Sequence, residues 1–325
     1  MSTVVECTLC PRRCKLIDGQ RGDCRVRINL EGKLQTLVFG NPCSVHIDPI
    51  EKKPFYHVLP GTRSFSIATA GCNLHCKYCQ NWQISQMPPE ELENYDLVPA
   101  SVVEKALATN CRTIAYTYSD PVVFFEYTLE TSKIARPRGI LNILRTGAYI
   151  EEEPLRELLE HVDAINVDFK GITEEFYQGM SGGHLEPVLK AMKLIQKQGV
   201  WLELTNLIIP TWNDKDGDIK LLCRWIMDHL GPNVPLHFSR FWPQHQLKNL
   251  PPTPEETIIR ARQIALQTGI RHTYVGNLPE DDGNHTYCPE DGTLLIRRVG
   301  YDVLENNLSD GRCPKCNAKI PGLWI

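Results

Sequence analysis

From Phe65 onward the chain alternates short apolar runs with longer amphipathic stretches. The runs Phe65–Ala70, Thr113–Tyr118, Ile140–Thr146, Ala164–Phe169, Trp201–Ile209, Val234–Ser239 and Arg271–Val275 predict strands. Helices are predicted between them at Ala100–Thr109, Pro121–Arg136, Glu151–His161, Glu186–Lys197, Ile219–Leu230 and Pro254–Thr268. Several carry end signals: Pro99-Ala100-Ser101 opens one, and Gly199 and Gly269 stand just past two others. Such alternation gives a parallel sheet with helices outside. Six or seven units exceed a small doubly wound sheet, so the expected class is α/β, a partial or nearly closed (β/α) barrel. In that architecture chemistry sits at the C-terminal ends of strands.

Two segments break the pattern and divide the chain. Residues 1–60 are irregular and rich in Cys, Pro and Gly, with short strand-like runs such as Leu34–Phe39. Residues 61–279 form the expected core barrel. From about Glu280 the alternation stops, and 280–325 is a short Cys-containing tail with a strand-like stretch at Thr293–Arg298. A length of 325 residues suits one large domain with small appendages. The net charge of −4 and the absence of a long basic run give no argument for a nucleic-acid partner. No stretch of 18 apolar residues occurs, and the N-terminus lacks a signal-peptide pattern, so a cytoplasmic protein is expected.

Of thirteen cysteines, ten fall in three groups with metal-ligand spacing. In a reducing cytoplasm that clustering favours metals over disulfides. Cys43, Cys111 and Cys223 stand alone and read as buried free thiols. The central group is Cys72-x3-Cys76-x2-Cys79, on a loop just after the Phe65–Ala70 strand, with Tyr78 before the last cysteine. Three thiolates on one loop can hold three irons of a cubane [4Fe–4S] cluster, which a fourth protein ligand would ordinarily complete. The next cysteine is Cys111, beyond a predicted helix, so one iron would stay open for an external ligand. Zinc, the alternative occupant, needs a fourth protein ligand or an open catalytic position.

The outer groups differ. Cys7-x2-Cys10-x3-Cys14-x9-Cys24 offers four thiolates, which satisfy a tetrahedral zinc or an auxiliary iron–sulfur cluster. In the tail, Cys288-Pro-Glu-Asp291 and Cys313-Pro-Lys-Cys316 read as the two knuckles of a zinc ribbon, with Asp291 where a second cysteine would stand. Either a Cys3Asp zinc site results, or a ribbon that has lost its metal.

Polar residues recur at the predicted strand ends: Tyr116-Thr-Tyr118-Ser119-Asp120, Arg145-Thr146, Asn166-Val-Asp168-Phe-Lys170 and Pro235-Leu-His237. Asp168 and Lys170, two apart, project to the same side of a strand, here the barrel interior. The open-iron arrangement resembles that of radical S-adenosylmethionine (SAM) enzymes, and such donors, acceptors and cations would suit a cofactor that presents a carboxylate, an ammonium, a ribose diol and an adenine.

With these motifs in view, the chain resembles, over nearly its whole length, the radical SAM proteins of the AmmeMemoRadiSam system, relatives of the pyruvate formate-lyase activating enzymes. The likeness rests on the cluster loop, Cys7-x2-Cys10-Pro-Arg-Arg-Cys14, Asp48-Pro-Ile-Glu-Lys-Lys-Pro-Phe, Val162–Lys170, Pro235-Leu-His-Phe-Ser-Arg-Phe, Tyr274-Val-Gly-Asn277 and the tail ribbon. It implies that Cys72, Cys76 and Cys79 bind the cluster, and that Asp168, Lys170 and His237 line the SAM pocket. It implies reductive SAM cleavage to methionine and a 5′-deoxyadenosyl radical that abstracts hydrogen from a substrate, with an electron donor such as flavodoxin or ferredoxin. A protein glycyl residue, a peptide and a small molecule are all candidate substrates. Departures occur where the family usually has Tyr-Asn-Glu-Pro and this chain has Tyr118-Ser119-Asp120-Pro121, and where Thr-Asn-Gly-Tyr becomes Thr146-Gly147-Ala148-Tyr149. The activating enzymes carry a cation-binding Asp just before that Thr; Arg145 stands there and would pair with the SAM carboxylate directly. The competing reading is a non-catalytic metal-binding module contacting a protein or nucleic-acid partner.

Overall fold

The computed structural model describes residues 4–278 and 282–324, so the boundary predicted near Glu280 lies outside the described residues. One sheet of eight strands dominates: β1 (Ser44–Pro49), β2 (Arg63–Ala68), β3 (Thr113–Tyr116), β4 (Leu141–Thr146), β5 (Ala164–Asp168), β6 (Trp201–Ile208), β7 (Leu236–Arg240) and β8 (Thr273–Gly276). They lie side by side in chain order. From β2 to β8 every neighbouring pair is parallel, while β1 runs antiparallel to β2 from Ser44↔Ala68 to Pro49↔Arg63. A sheet wound in one direction, with no reversal of strand order, is the partial barrel expected. β1 and β8 are its edges.

Helices at Pro99–Ala108, Phe125–Ala135, Glu152–Leu159, Leu185–Gln198, Asp216–His229 and Glu255–Thr268 fill the crossovers. Pro99 opens the first from a position whose N–H needs no helical partner. Gly199 closes the fourth at φ 75°, a left-handed conformation glycine adopts at little cost. Among the described residues no helix is long and apolar enough to cross a membrane.

Side chains alternate across each strand, and this alternation separates two environments. The outward faces (Ile165, Val167, Leu204, Leu236, Phe238) join Val102, Leu129, Val188, Ile226 and Ile258 of the helices in the main apolar core. Each such side chain contributes about 1.5–3 kcal/mol by leaving water. The inward faces are polar or small: Glu203 and Thr205 on β6, Asn166 and Asp168 on β5, His237 and Ser239 on β7. Such an interior cannot fill with stacked apolar layers.

The segment after β1 fills part of it instead. Ile50, Phe55, Val58 and Leu59 pack against the small or apolar inner residues Ala115, Ile143 and Ala164 of β3–β5. Glu203 accepts hydrogen bonds from the Tyr56 and His57 backbone N–H groups at 3.1 and 2.9 Å, and Asn166 Nδ2 donates to Pro54 O at 2.8 Å. Residues 44–59, irregular as read from the sequence, thus supply an edge strand and a plug. The C-terminal hairpin Leu294–Val299/Asp302–Asn306 docks on this plug. There the buried Arg298 donates to Tyr56 O at 2.8 Å, stacks 4.2 Å over the Tyr56 ring, and lies 3.6 Å from Glu51.

Candidate active site

The cluster loop leaves β2 at its C-terminal end and is pinned on every side. His75 N and Lys77 N donate to Ser181 O and Met180 O at 2.8 and 2.9 Å. Asn73 Nδ2 donates to Tyr149 O at 2.6 Å, and Arg12 Nε to Asn73 O at 3.1 Å. Arg12 also reaches Gly182 O. Leu74 wedges between two glycines: a Cβ on Gly147 or on Gly183 would lie 2.7 Å from its methyl groups. A side chain at Gly147, a departure from the family pattern, would push Leu74 aside where the loop after β4 approaches the cysteine loop.

The N-terminal cysteines pack against this loop from outside. Cys7 N donates to Cys14 O at 2.9 Å. A Cβ on Gly22 would meet both Cys14 Sγ and Cys24 Sγ at 3.8 Å. Burial pushes the Cys10 thiol up to about 12, with Cys7 and Cys24 adding to the shift. His75, on the cluster loop, pairs with Asp23 at 2.7 Å, which ties the two cysteine loops together.

Every cofactor-binding residue predicted from the sequence lines one cavity of about 460 Å3. Cys72, Cys76, Tyr78 and Cys79 come from the loop; Tyr118, Ser119 and Asp120 follow β3; Arg145 and Thr146 end β4; Asp168 ends β5 and Lys170 follows it; His237 lies on β7. The volume falls in the range of small-molecule sites. Leu74 N points at Cys72 Sγ at 3.4 Å, and Ser85 Oγ lies 3.2 Å from Cys79 Sγ. Burial pushes the Cys72 thiol well above its ordinary value, with Asp120 and Cys76 adding to it. A soft metal centre, which takes thiolates and competes with the proton, relieves that cost. Ser119 Oγ is buried in the same wall without a hydrogen-bond partner, so a polar ligand fits there.

The charged groups are arranged in sets. Asp120 Oδ1 accepts from Thr146 Oγ1 at 2.8 Å, and Oδ2 from Gly147 N at 2.8 Å, so this carboxylate clamps the end of β3 to that of β4. Burial raises Asp120, and these donors resist the rise. Burial likewise pushes Asp168 up, but Arg145 and Lys170 outweigh it and hold the carboxyl below its usual range. Arg145 Nη2 and Lys170 Nζ lie 3.2 and 3.5 Å from that carboxylate. Arg145 therefore pairs with Asp168 within the protein.

Other lining residues had no role assigned from the sequence: Lys52 and Lys53, within the Asp48–Phe55 string, Tyr56 of the plug, Asn81 beyond the last cysteine, and Asn284 and Tyr301 of the C-terminal segment. In that segment the ligand atoms of Cys288, Asp291, Cys313 and Cys316 all lie within 4.8 Å of one another, as a metal site requires. Of the lone cysteines, Cys111 and Cys223 are buried as expected, whereas Cys43 is only half-buried, at the edge where β1 begins.

A seven-strand parallel half-barrel with three loop cysteines over its mouth defines a class. Residues 66–223 match the model of the radical SAM superfamily. The chain is 44% identical to an uncharacterized protein of Methanocaldococcus jannaschii, over 97% of this chain and 95% of that one. It is also 22% identical to the pyruvate formate-lyase 1-activating enzyme of Escherichia coli, over 65% of this chain and 91% of that enzyme. Among solved structures, a radical SAM methyltransferase from Sphaerobacter thermophilus matches with a TM-score of 0.52 at 15% identity, covering 68% of this chain and 67% of that one. The chain belongs to the same family as the Methanocaldococcus protein and is an enzyme of the radical SAM superfamily, distantly similar to activating enzymes. Its cofactors are a [4Fe–4S] cluster and SAM.

Proposed function

We propose that the cavity is where this enzyme holds its cluster and SAM, with Cys72, Cys76 and Cys79 as the iron ligands. The observation that supports this reading is the convergence on one cavity of the side chains that the sequence assigned to the cluster and SAM. When bound, the cluster supplies the electron that cleaves SAM and releases the adenosyl radical. The protein's own residues bind, orient and exclude water. Ser119 Oγ offers SAM a hydrogen bond, and Asp120 sets the loop that brings Thr146 and Gly147 to the site. Arg145 and Lys170 hold a cationic face for the SAM carboxylate, and His237 and Tyr78 complete the wall.

The substrate gives up a hydrogen atom. Similarity to activating enzymes makes a glycyl residue of a partner protein a candidate, beside a peptide or a small molecule. The reading carries a flavodoxin or ferredoxin as electron donor and a cytoplasmic setting, where the thiols stay reduced. Anaerobic reconstitution with iron and sulfide, reduction with dithionite and addition of SAM is the test. Methionine and 5′-deoxyadenosine should form with the wild type and not with Cys76→Ala. Equal product from the two proteins contradicts the assignment.

A further inference from the structure

The plug delivers a lysine to the interior of the barrel. Lys53 is 1% exposed, yet it lines the cavity that holds the three cysteines. Its Nζ lies 2.6 Å from Asp48 Oδ2 and 3.1 Å from the Tyr118 hydroxyl, and 4.3 Å from the Tyr118 ring centre. Asp48 cannot neutralise it alone, because Asp48 Oδ1 takes Lys52 Nζ at 2.8 Å. One carboxylate is shared by two ammonium groups. The Tyr118 hydroxyl donates to the same carboxylate, from a backbone held at φ 63°. Left-handed backbone in a bulky residue is strained and persists only where its surroundings impose it.

Lys52 is 45% exposed, so the buried charge is that of Lys53, whose counter-charge is shared and which a further anion would complete. Burial draws Lys53 down to about 8, and pairing with Asp48 opposes this, so the charge survives at neutral pH. Beside it opens a second cavity of about 280 Å3, lined by Ser44, His46, Asn81, Gln83 and Ile84. Lys52, Asn81 and Tyr118 line both cavities, so the two adjoin at Lys52. Tyr118, in the wall of the cofactor cavity, touches this cationic pair, but its neutral hydroxyl adds no counter-charge to it.

We propose that Lys52 and Lys53 form an anion-binding site that takes a carboxylate or phosphate group of the substrate, the rest of which leads out along the second cavity. This rests on reading the main cavity as the radical SAM site, and it narrows the substrate to an anionic molecule. A substrate without such a group would leave Lys53 buried and under-compensated.

The test is calorimetric titration of the reconstituted, SAM-saturated protein with two probes, inorganic phosphate and glutarate. One or both should bind the wild type saturably; which one binds tells phosphate from carboxylate recognition. Lys53→Gln should weaken that binding by about tenfold or more, while SAM affinity stays within about twofold. Thermal melts identify any variant that fails to fold, and Lys53→Arg, which keeps the charge, should retain binding. Saturable anion binding in a protein that does not bind SAM would support the anion site and count against the cofactor reading. Absence of saturable binding to the wild type, unchanged binding by folded Lys53→Gln, or a loss of SAM affinity in that variant overturns the proposal.

Discussion

His237 Nε2 lies 2.7 Å from Glu203 Oε2, which links a wall of the cavity to a carboxylate buried behind it. The same carboxylate accepts from Tyr56 N, His57 N and Trp201 Nε1. One side chain therefore orients the imidazole and holds the plug in the barrel. Burial pushes Glu203 up, but the His237 hydrogen bond, the nearby histidines and the backbone donors outweigh it and bring the carboxyl below its ordinary value.

The sign of the resulting pH dependence follows. A carboxyl lowered by folding contributes stability that is complete above its unfolded value, about 4.3 for Glu, and is lost as pH falls through the lower folded value. Wild-type stability should fall more steeply than that of Glu203→Gln as pH drops from about 6 to 3. Glu203→Ala, which leaves its donors unpaired, should cost about 3–5 kcal/mol at neutral pH. Thermal denaturation across that range measures both, and parallel curves for wild type and Glu203→Gln contradict the role given to Glu203.

Arg145 supports a second prediction. It already pairs with Asp168, which Lys170 also faces, so the Asp168 charge is over-compensated and a SAM carboxylate can add to the set. No monovalent cation is needed. Arg145→Ala should weaken SAM binding by roughly 1.5–3 kcal/mol, the range for a charged hydrogen bond. Wild-type affinity should not depend on potassium at fixed ionic strength. Potassium-dependent binding by the wild type, or normal binding by the variant, would show Arg145 to be only a partner of Asp168.

Metal analysis addresses the outer cysteine groups. The C-terminal set should bind one zinc, and Cys313→Ser should remove it and lower the melting temperature. The N-terminal set should hold a further metal, and its packing against the cluster loop predicts that Cys10→Ala destabilises the protein. Zinc content with melting curves decides for the first; for the second, a stable Cys10→Ala protein that has lost turnover would favour an auxiliary redox cluster over zinc.

The strands of the barrel were legible because their outward positions repeat apolar residues two apart, as at Ile165 and Val167 and at Leu202 and Leu204. The polar strand ends were legible because their residues recur at successive turns of the barrel. The plug was not. Glu51, Lys53 and His57 are buried and charged or polar, and their partners Arg298, Asp48 and Pro321 include residues more than 200 positions away. β1 escaped because an edge strand with exposed His46 and Ile47 shows no clean alternation. Glu203 gave one faint signal: a lone carboxylate among the apolar residues of Trp201–Ile208.

The most direct measurement is electron paramagnetic resonance of the dithionite-reduced, reconstituted protein with and without SAM. The assignment of Cys72, Cys76 and Cys79 predicts a reduced-cluster signal in the wild type that SAM perturbs. In variants with any one of these cysteines changed to alanine the SAM-responsive signal should vanish while circular dichroism shows the barrel still folded. A folded variant that keeps a SAM-perturbed signal would contradict the site.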